Sequence, residues 1–183
     1  EETMAALIKL KEEGKIRAIG VCNAPTDYLR QYDAAGQLDS DQELFSMLDR
    51  QIEDDQLPFC REHEMAVLAY SPLGRGLLTG KMGPDREFAE GDARRDSPRY
   101  SVENRKRVAK MLEQFQPVAE AHDATLAQIV IAWTLRVPGM THALVGARNP
   151  RQATENAAAG SVELTDDEIA QINRAVDQYR DES

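Results

Sequence analysis

The stretch Ala143-Leu144-Val145-Gly146-Ala147-Arg148-Asn149-Pro150-Arg151-Gln152 decides how this chain is read. Its apolar triplet, 143–145, is a strand candidate that stops at Gly146. Asn149 is a good helix N-cap, Pro150 a favoured first helical residue, and Gln152 holds the third position. A helix therefore starts directly after a strand, with glycine allowing a tight backbone and free N–H groups pointing outward. Such a terminus attracts anions, phosphate above all, through its unpaired donors and its dipole. Arg148 and Arg151 add positive charge at the same place. An ordinary strand-to-helix turn with surface arginines has the same local pattern, so both readings stand at this point.

Working outward, the chain alternates helix and strand. Residues 1–14 carry Met4, Leu7, Ile8 and Leu10 at helical spacing and end at Gly14. Residues 16–21 read as a strand, 25–35 as a helix opened by Pro25, and 38–45 as a weaker strand. Residues 53–64 read as a helix and 65–70 as a buried strand. The stretch 72–100 is long, irregular and rich in Gly, Pro, Asp and Arg, and loops of that length are usually functional. Residues 101–122 form a charged amphipathic helix with Pro117 as a possible kink. Thr125 to Gln128 and Thr165 to Glu168 are capping boxes for two further helices. The last strand is 142–145, followed by helices over about 150–159 and 165–180.

Strands alternating with helices imply parallel pairing with right-handed crossovers. The four strands fit a small open sheet or half of an eight-stranded barrel, and periodicity does not separate the two. The turn at Gly146 tilts the choice. In (β/α)8 barrels phosphate often sits in the loops after the last two strands, at a helix N-terminus.

The 183 residues suffice for one domain with a core. The formal net charge of −10 disfavours nucleic acid and anionic membranes as partners. No apolar run reaches the length of a membrane span. The two cysteines, Cys22 and Cys60, form neither a metal spacing nor a disulfide framework, which fits a cytoplasmic protein. His63, His122 and His142 are scattered, so no metal is expected.

Four segments carry a resemblance to a known family: Gly14 to Asn23, Gln42 to Arg50, Leu68 to Lys81, and Gly146 to Asn156. In order and spacing the chain resembles the aldo-keto reductase family, a (β/α)8 barrel family that reduces aldehydes and ketones with NADPH. The resemblance implies an α/β fold whose parallel βα units are the C-terminal half of a TIM barrel, strands 5–8. Residues 1–183 would then be a partial, cofactor-binding barrel domain. By that resemblance Cys22 and Asn23 fall where the family holds the nicotinamide carboxamide, and Gln42 completes the clamp. Tyr70 falls where an aromatic ring stacks on the nicotinamide. Ser71, Pro72, Leu73, Gly74 and Arg75 fall on the loop around the pyrophosphate, and Lys81 on a phosphate-reaching position. Gly146, Arg148 and Gln152 fall on the 2′-phosphate site, and Glu155 and Asn156 where adenine binds.

The residue types suit those roles. A carboxamide needs both a donor and an acceptor, which Asn and Gln supply. An aromatic face orients a flat ring, and arginine donates two parallel bonds to a phosphate. Two departures stand out. Cys22 replaces a serine and is expected as a small buried residue at a strand end. Asp41 occupies a normally apolar strand position, so either Gln42 is misplaced or Asp41 faces solvent at an unclosed edge. Arg94 and Arg95, in the long loop, are expected as a solvated charge run.

The family's catalytic Asp, Tyr, Lys and His lie in its N-terminal half, and none is assigned here. The expected function is the NADP(H)-binding half of a carbonyl reductase, inactive alone. The alternative is a non-catalytic NADPH-binding or self-associating half-barrel. The expected partners are a small carbonyl substrate and either the missing N-terminal half, on the same or another chain, or a second copy.

Overall fold

The computed structural model describes residues 1–181; the last two residues of the expected 1–183 domain lie outside them. The chain divides into two compact units. The first joins Glu1–Tyr70 to Leu135–Leu144, and the second joins Ser71–Thr134 to the chain from Val145 onward.

The first unit holds the sheet. Helix α1 (Glu2–Glu12) ends at Gly14, whose φ of 69° suits glycine, and Lys15 N–H reaches back to the Leu10 carbonyl at 3.0 Å. Strands β1 (Gly20–Cys22), β2 (Ser40–Leu44), β3 (Ala66–Tyr70) and β4 (His142–Leu144) are all parallel, in the order β1-β2-β3-β4. Helix α2 (Thr26–Ala35) connects β1 to β2, and α3 (Gln56–Glu62) connects β2 to β3. Asp39 fastens the sheet's entry. Its carboxylate takes Lys11 Nζ at 2.8 Å and the Ile19 N–H at 2.7 Å. The Lys11 ammonium holds that carboxyl below the ordinary aspartate value.

The first strand is shorter than expected, Gly20–Cys22 rather than 16–21, because Ile16 N–H is still tied to the Leu10 carbonyl and pairing with the next strand begins with Asp39 N–H on the Ile19 carbonyl at 2.8 Å. Asp41 overturns the idea of a solvent-facing edge. β2 is an inner strand, and Asp41 is 0 % exposed. With period-2 alternation, Asp41 and Glu43 share one face of β2, while Ser40, Gln42 and Leu44 share the other. Gln42 is therefore not displaced by its acidic neighbour. Thr141 Oγ1 donates to the Val67 carbonyl at 2.7 Å and so docks the start of β4 on β3.

The second unit is helical. It holds α4 (Val102–Glu113), α5 (Gln116–Ala121), most of α6 (Leu126–Arg136), α7 (Pro150–Ala158) and α8 (Asp166–Asp181). The expected single helix over 101–122 breaks in two, with Pro117 in the first turn of α5, where its missing N–H costs least. Both capping boxes form. Thr125 N–H donates to Gln128 Oε1 and Thr165 N–H to Glu168 Oε2, each at 2.8 Å. The core runs along α6, where Ile129, Val130, Ile131 and Trp133 are buried, and along α8, where Ile172 and Val176 are buried. Trp133 Nε1 donates to Asn173 Oδ1 at 2.8 Å, satisfying the indole. Among the described residues no helix is long and apolar enough to cross a membrane, and no three His, Cys, Asp or Glu are grouped to hold a metal ion.

Candidate functional site

In the first unit four expected residues come together near the carboxyl ends of β1–β3. The chain leaves β1 at Asn23, whose φ of 51° lies in the left-handed region that asparagine tolerates. Asn23 N–H donates to the Gln42 carbonyl at 3.0 Å, extending the ladder one residue past β1. The Asn23 side chain is gripped at both ends. Its Oδ1 accepts the Tyr70 hydroxyl at 2.8 Å, and its Nδ2 donates to Cys22 Sγ at 2.9 Å. Cys22 stands opposite Gln42 in register, and Leu44 opposite Tyr70. Each Asn23 amide atom keeps one further hydrogen-bonding position, and among the described residues the Gln42 amide has no partner. Two primary amides with spare donors and acceptors can clamp a planar carboxamide. Cys22 departs from expectation: it is exposed, because β1 is an outer strand that ends there.

The other face of β2 was not recognised as an ionisable cluster. Asp41 and Glu43 lie together in the core, and among the described residues neither Asp41 oxygen has a hydrogen-bond partner. Burial first, and the Glu43 charge second, push the Asp41 carboxyl up to about 7. Glu43 is raised too, chiefly by burial, although its Oε1 accepts the Ala24 N–H at 2.8 Å. Burial and the same two carboxyls push the Cys60 thiol up to about 12, so it is inert as a nucleophile.

The second unit carries the residues expected around phosphate. After Ser71 (φ 58°), the chain passes through Gly74 (55°), Arg75 (53°) and Gly76 (97°), all left-handed. Gly74 N–H closes on the Ser71 carbonyl at 2.8 Å, and Gly76 N–H on the Leu73 carbonyl at 3.0 Å. Among the described residues the Arg75 N–H meets no acceptor. Pro72, Leu77 and Leu78 are buried and anchor the loop. Lys81 is engaged rather than free, because its Nζ lies 3.1 Å from Glu155 Oε1 and holds that carboxyl below its usual value. Two residues expected to touch a cofactor thus partner each other.

At α7 the expected N-cap forms, but the N–H groups of Arg148 and Gln152, expected to be free, are taken by side chains of the turn itself. Asn149 Oδ1 accepts the Gln152 N–H at 2.9 Å, and Gln152 Oε1 accepts the Arg148 N–H at 2.8 Å. Asn156 Nδ2 donates to the Gly146 carbonyl at 3.3 Å. The tight turn expected at Gly146 is absent. A Cβ there would meet nothing within 4 Å, so the glycine leaves open space before the helix start. Arg148 and Arg151 are exposed, with no carboxylate in ion-pair range among the described residues. Two exposed guanidinium groups beside a helix N-terminus fit a phosphate, although Arg151 also acts on the Glu155 carboxylate.

Arg94 is not the solvated charge expected. It is half-buried, with Nη2 2.6 Å from Asp92 Oδ2 and Nε 2.9 Å from Asp92 Oδ1. Its guanidinium lies 4.9 Å from the Phe88 ring centre. Arg95 is exposed, as expected. Tyr100 was also missed: it is buried, and its hydroxyl donates to the Gly74 carbonyl at 3.2 Å. Nothing in local sequence marks a tyrosine for a carbonyl that far upstream.

Comparison with known proteins bears on what these residues are for. The "NADH-specific methylglyoxal reductase" of Escherichia coli (strain K12) is 42% identical over 165 residues, covering 90% of this chain and 50% of that protein. The "Aldo-keto reductase yakc [NADP(+)]" of Schizosaccharomyces pombe is 32% identical over 180 residues, covering 97% of this chain and 53% of that protein. Among solved structures, the glycerol dehydrogenase AKR11B4 from Gluconobacter oxydans superposes with a TM-score of 0.90 at 31% identity, over 97% of this chain and 54% of its own. The chain thus spans about half the length of the relatives it matches. The model of the Aldo/keto reductase family matches residues 1–177, and the chain belongs to that family.

Proposed function

We propose that this chain is the nicotinamide-cofactor-binding part of an enzyme that reduces aldehydes or ketones to alcohols, built as strands 5–8 of a (β/α)8 barrel. The observation that carries the reading is the Asn23 amide, fixed by the Tyr70 hydroxyl at 2.8 Å beside the unpartnered Gln42 amide. The parallel order β1-β2-β3-β4 supports the barrel assignment, as does a span of about half of each relative.

When bound, the cofactor would supply a hydride. The chain's own residues bind and orient. Asn23 and Gln42 hold the carboxamide, Cys22 borders it, and the Tyr70 ring offers a flat face. Ser71, Pro72, Leu73, Gly74 and Arg75 shape the pyrophosphate loop, with Lys81 near it. Gly146, Arg148 and Gln152 take the 2′-phosphate, and Glu155 and Asn156 take adenine. No residue of this chain is assigned to deliver the proton that the product oxygen needs. A non-catalytic cofactor-binding protein is the second reading, favoured by that same lack. β1 and β4 are the outer strands of the sheet, and their free edges would be covered by the remaining half-barrel or a second copy. Two free cysteines support a cytoplasmic setting.

The test is titration with NADPH, followed by quenching of Trp133 fluorescence, and then turnover of nitrobenzaldehyde. Binding with negligible turnover is the expected result, and robust reduction by this chain alone overturns the half-site reading. Relatives named for NADH and for NADP(+) both exist, so cofactor choice rests on the exposed arginines. Arg148→Ala should weaken NADPH about tenfold and leave NADH nearly unchanged, as loss of one charged phosphate contact predicts. Equal effects on both cofactors would remove the preference for NADPH.

A further inference from the structure

Three consecutive residues, Gly74, Arg75 and Gly76, are left-handed, and the turn's own N–H bonds to Ser71 and Leu73 leave the carbonyls of Gly74 and Arg75 to be held from elsewhere. For Arg75, which carries a Cβ, the left-handed region is unfavourable. Two side chains outside the turn take those carbonyls. The Tyr100 hydroxyl takes the Gly74 carbonyl at 3.2 Å, and Arg94 Nη1 takes the next carbonyl, that of Arg75, at 3.3 Å.

Because a trans peptide is planar, its carbonyl and the following N–H point in opposite directions. Holding the Gly74 carbonyl therefore turns the Arg75 N–H the other way, where no acceptor meets it among the described residues. Arg94 is itself braced. Asp92 receives its Nε and Nη2, and also the Arg94 backbone N–H at 3.0 Å. Phe88 packs beneath it, and its ring lies 5.5 Å from Arg105 and 6.0 Å from the Tyr100 ring. Arg105 Nη1 in turn ties the carbonyls of Gly83 and Arg86 at 2.7 and 2.8 Å. The loop from Gly83 to Asp92 is thus fastened to α4 and, through Arg94, to the turn.

We propose that Arg94, braced by Asp92, is a positioning residue that together with Tyr100 fixes the 74–76 turn, so that the Arg75 N–H is presented to the pyrophosphate of the cofactor. Arg94 touches no phosphate itself. The inference rests on the cofactor reading above and deepens it, because the turn is shaped before any ligand arrives. Preorganised donors bind an anion without an ordering cost at the moment of binding.

The test compares Arg94→Gln, Asp92→Asn and, as a control of equal charge loss, Arg95→Gln in the whole chain. Two quantities are read: hydrogen exchange of the amides in 73–80, and NADPH dissociation constants. Arg94→Gln and Asp92→Asn should both speed exchange at Gly76 and Leu78 and weaken NADPH about fivefold. Arg95→Gln should do neither, and melting temperatures should stay within a few degrees. Unchanged exchange in Arg94→Gln overturns the positioning role. Equal weakening by Arg95→Gln also overturns it, because long-range charge would then explain the effect. If the unmodified chain bound no nicotinamide cofactor, the cofactor reading and the pyrophosphate role would both fall. The exchange data would then still report whether Arg94 holds the turn.

Discussion

The two faces of β2 solve opposite problems with adjacent residues. Gln42 leaves its amide unpartnered beside Asn23 and Tyr70, where ligand atoms can be met. Asp41 and Glu43, one residue to either side, are packed into the core, where no solvent compensates a charge. A polar group held ready at a strand end is cheap, because water satisfies it until a ligand comes. A buried carboxyl has no such reservoir and must keep its proton or find a donor. Burial and the neighbouring Glu43 charge push Asp41 toward the former, while Glu43 accepts from the Ala24 N–H. The strand thus carries its readiness on one face and its strain on the other.

The largest way to break this comparison is to remove the strain. The Asp41 carboxyl lies above its unfolded value of 3.8, at about 7. A raised value means the folded state holds the proton more tightly. Its stabilising contribution is complete below about pH 4 and is lost as pH climbs through 7. Asp41→Val removes both the charge and the titration. At pH 8 it should stabilise the chain by about 2 kcal/mol or more, in line with buried ionic groups replaced by apolar ones. The gain should shrink toward zero by pH 4. Urea midpoints of both proteins at pH 4, 6 and 8 check this, and a gain independent of pH would show that Asp41 titrates alike in the folded and unfolded chain.

Much of this was legible in the sequence, and the failures are instructive. The helix starts at Asn149, Thr125 and Thr165 are local chemistry, so residues within one turn reveal them. Strands β3 and β4 were found by their apolar runs, β2 was only a weak candidate because its residues are mostly polar, and β1 was overrun because its length depends on where β2 begins. Asn23, Gln42 and Tyr70 were named as a group, yet their mutual hydrogen bonding needed the register of three strands. Asp41 was misread because a charged residue breaks an apolar pattern, and the pattern cannot tell an edge from a buried pair. Arg94 and Tyr100 escaped because their targets are single backbone carbonyls 19 and 26 residues away.

A middle-sized effect separates fixed amides from free ones on the ready face. Asn23→Ala loses the Tyr70 and Cys22 bonds and places alanine at a φ of 51°. It should cost about 1–2 kcal/mol of stability and weaken NADPH at least tenfold. Gln42→Ala, with no internal bond to lose, should weaken NADPH similarly while stability moves by less than about 0.5 kcal/mol. Thermal melts and titrations of the two variants side by side check the contrast. Equal stability losses would mean that the Gln42 amide is part of the internal network.

The smallest effect tests the departure at Cys22. Its sulfur is a weak acceptor for Asn23 Nδ2 at 2.9 Å, and the side chain is exposed. Cys22→Ser places a stronger acceptor and a donor at the same point without disturbing a packed core. Stability should therefore stay within about 0.5 kcal/mol of the parent. A hydroxyl holds the Asn23 amide more firmly and adds a second donor beside the carboxamide position. NADPH should then bind about two- to fivefold more tightly, the range expected for a modest neutral hydrogen bond. Weaker binding in Cys22→Ser would mean that the thiol fills space against the ligand, and that packing rather than hydrogen bonding decides this position.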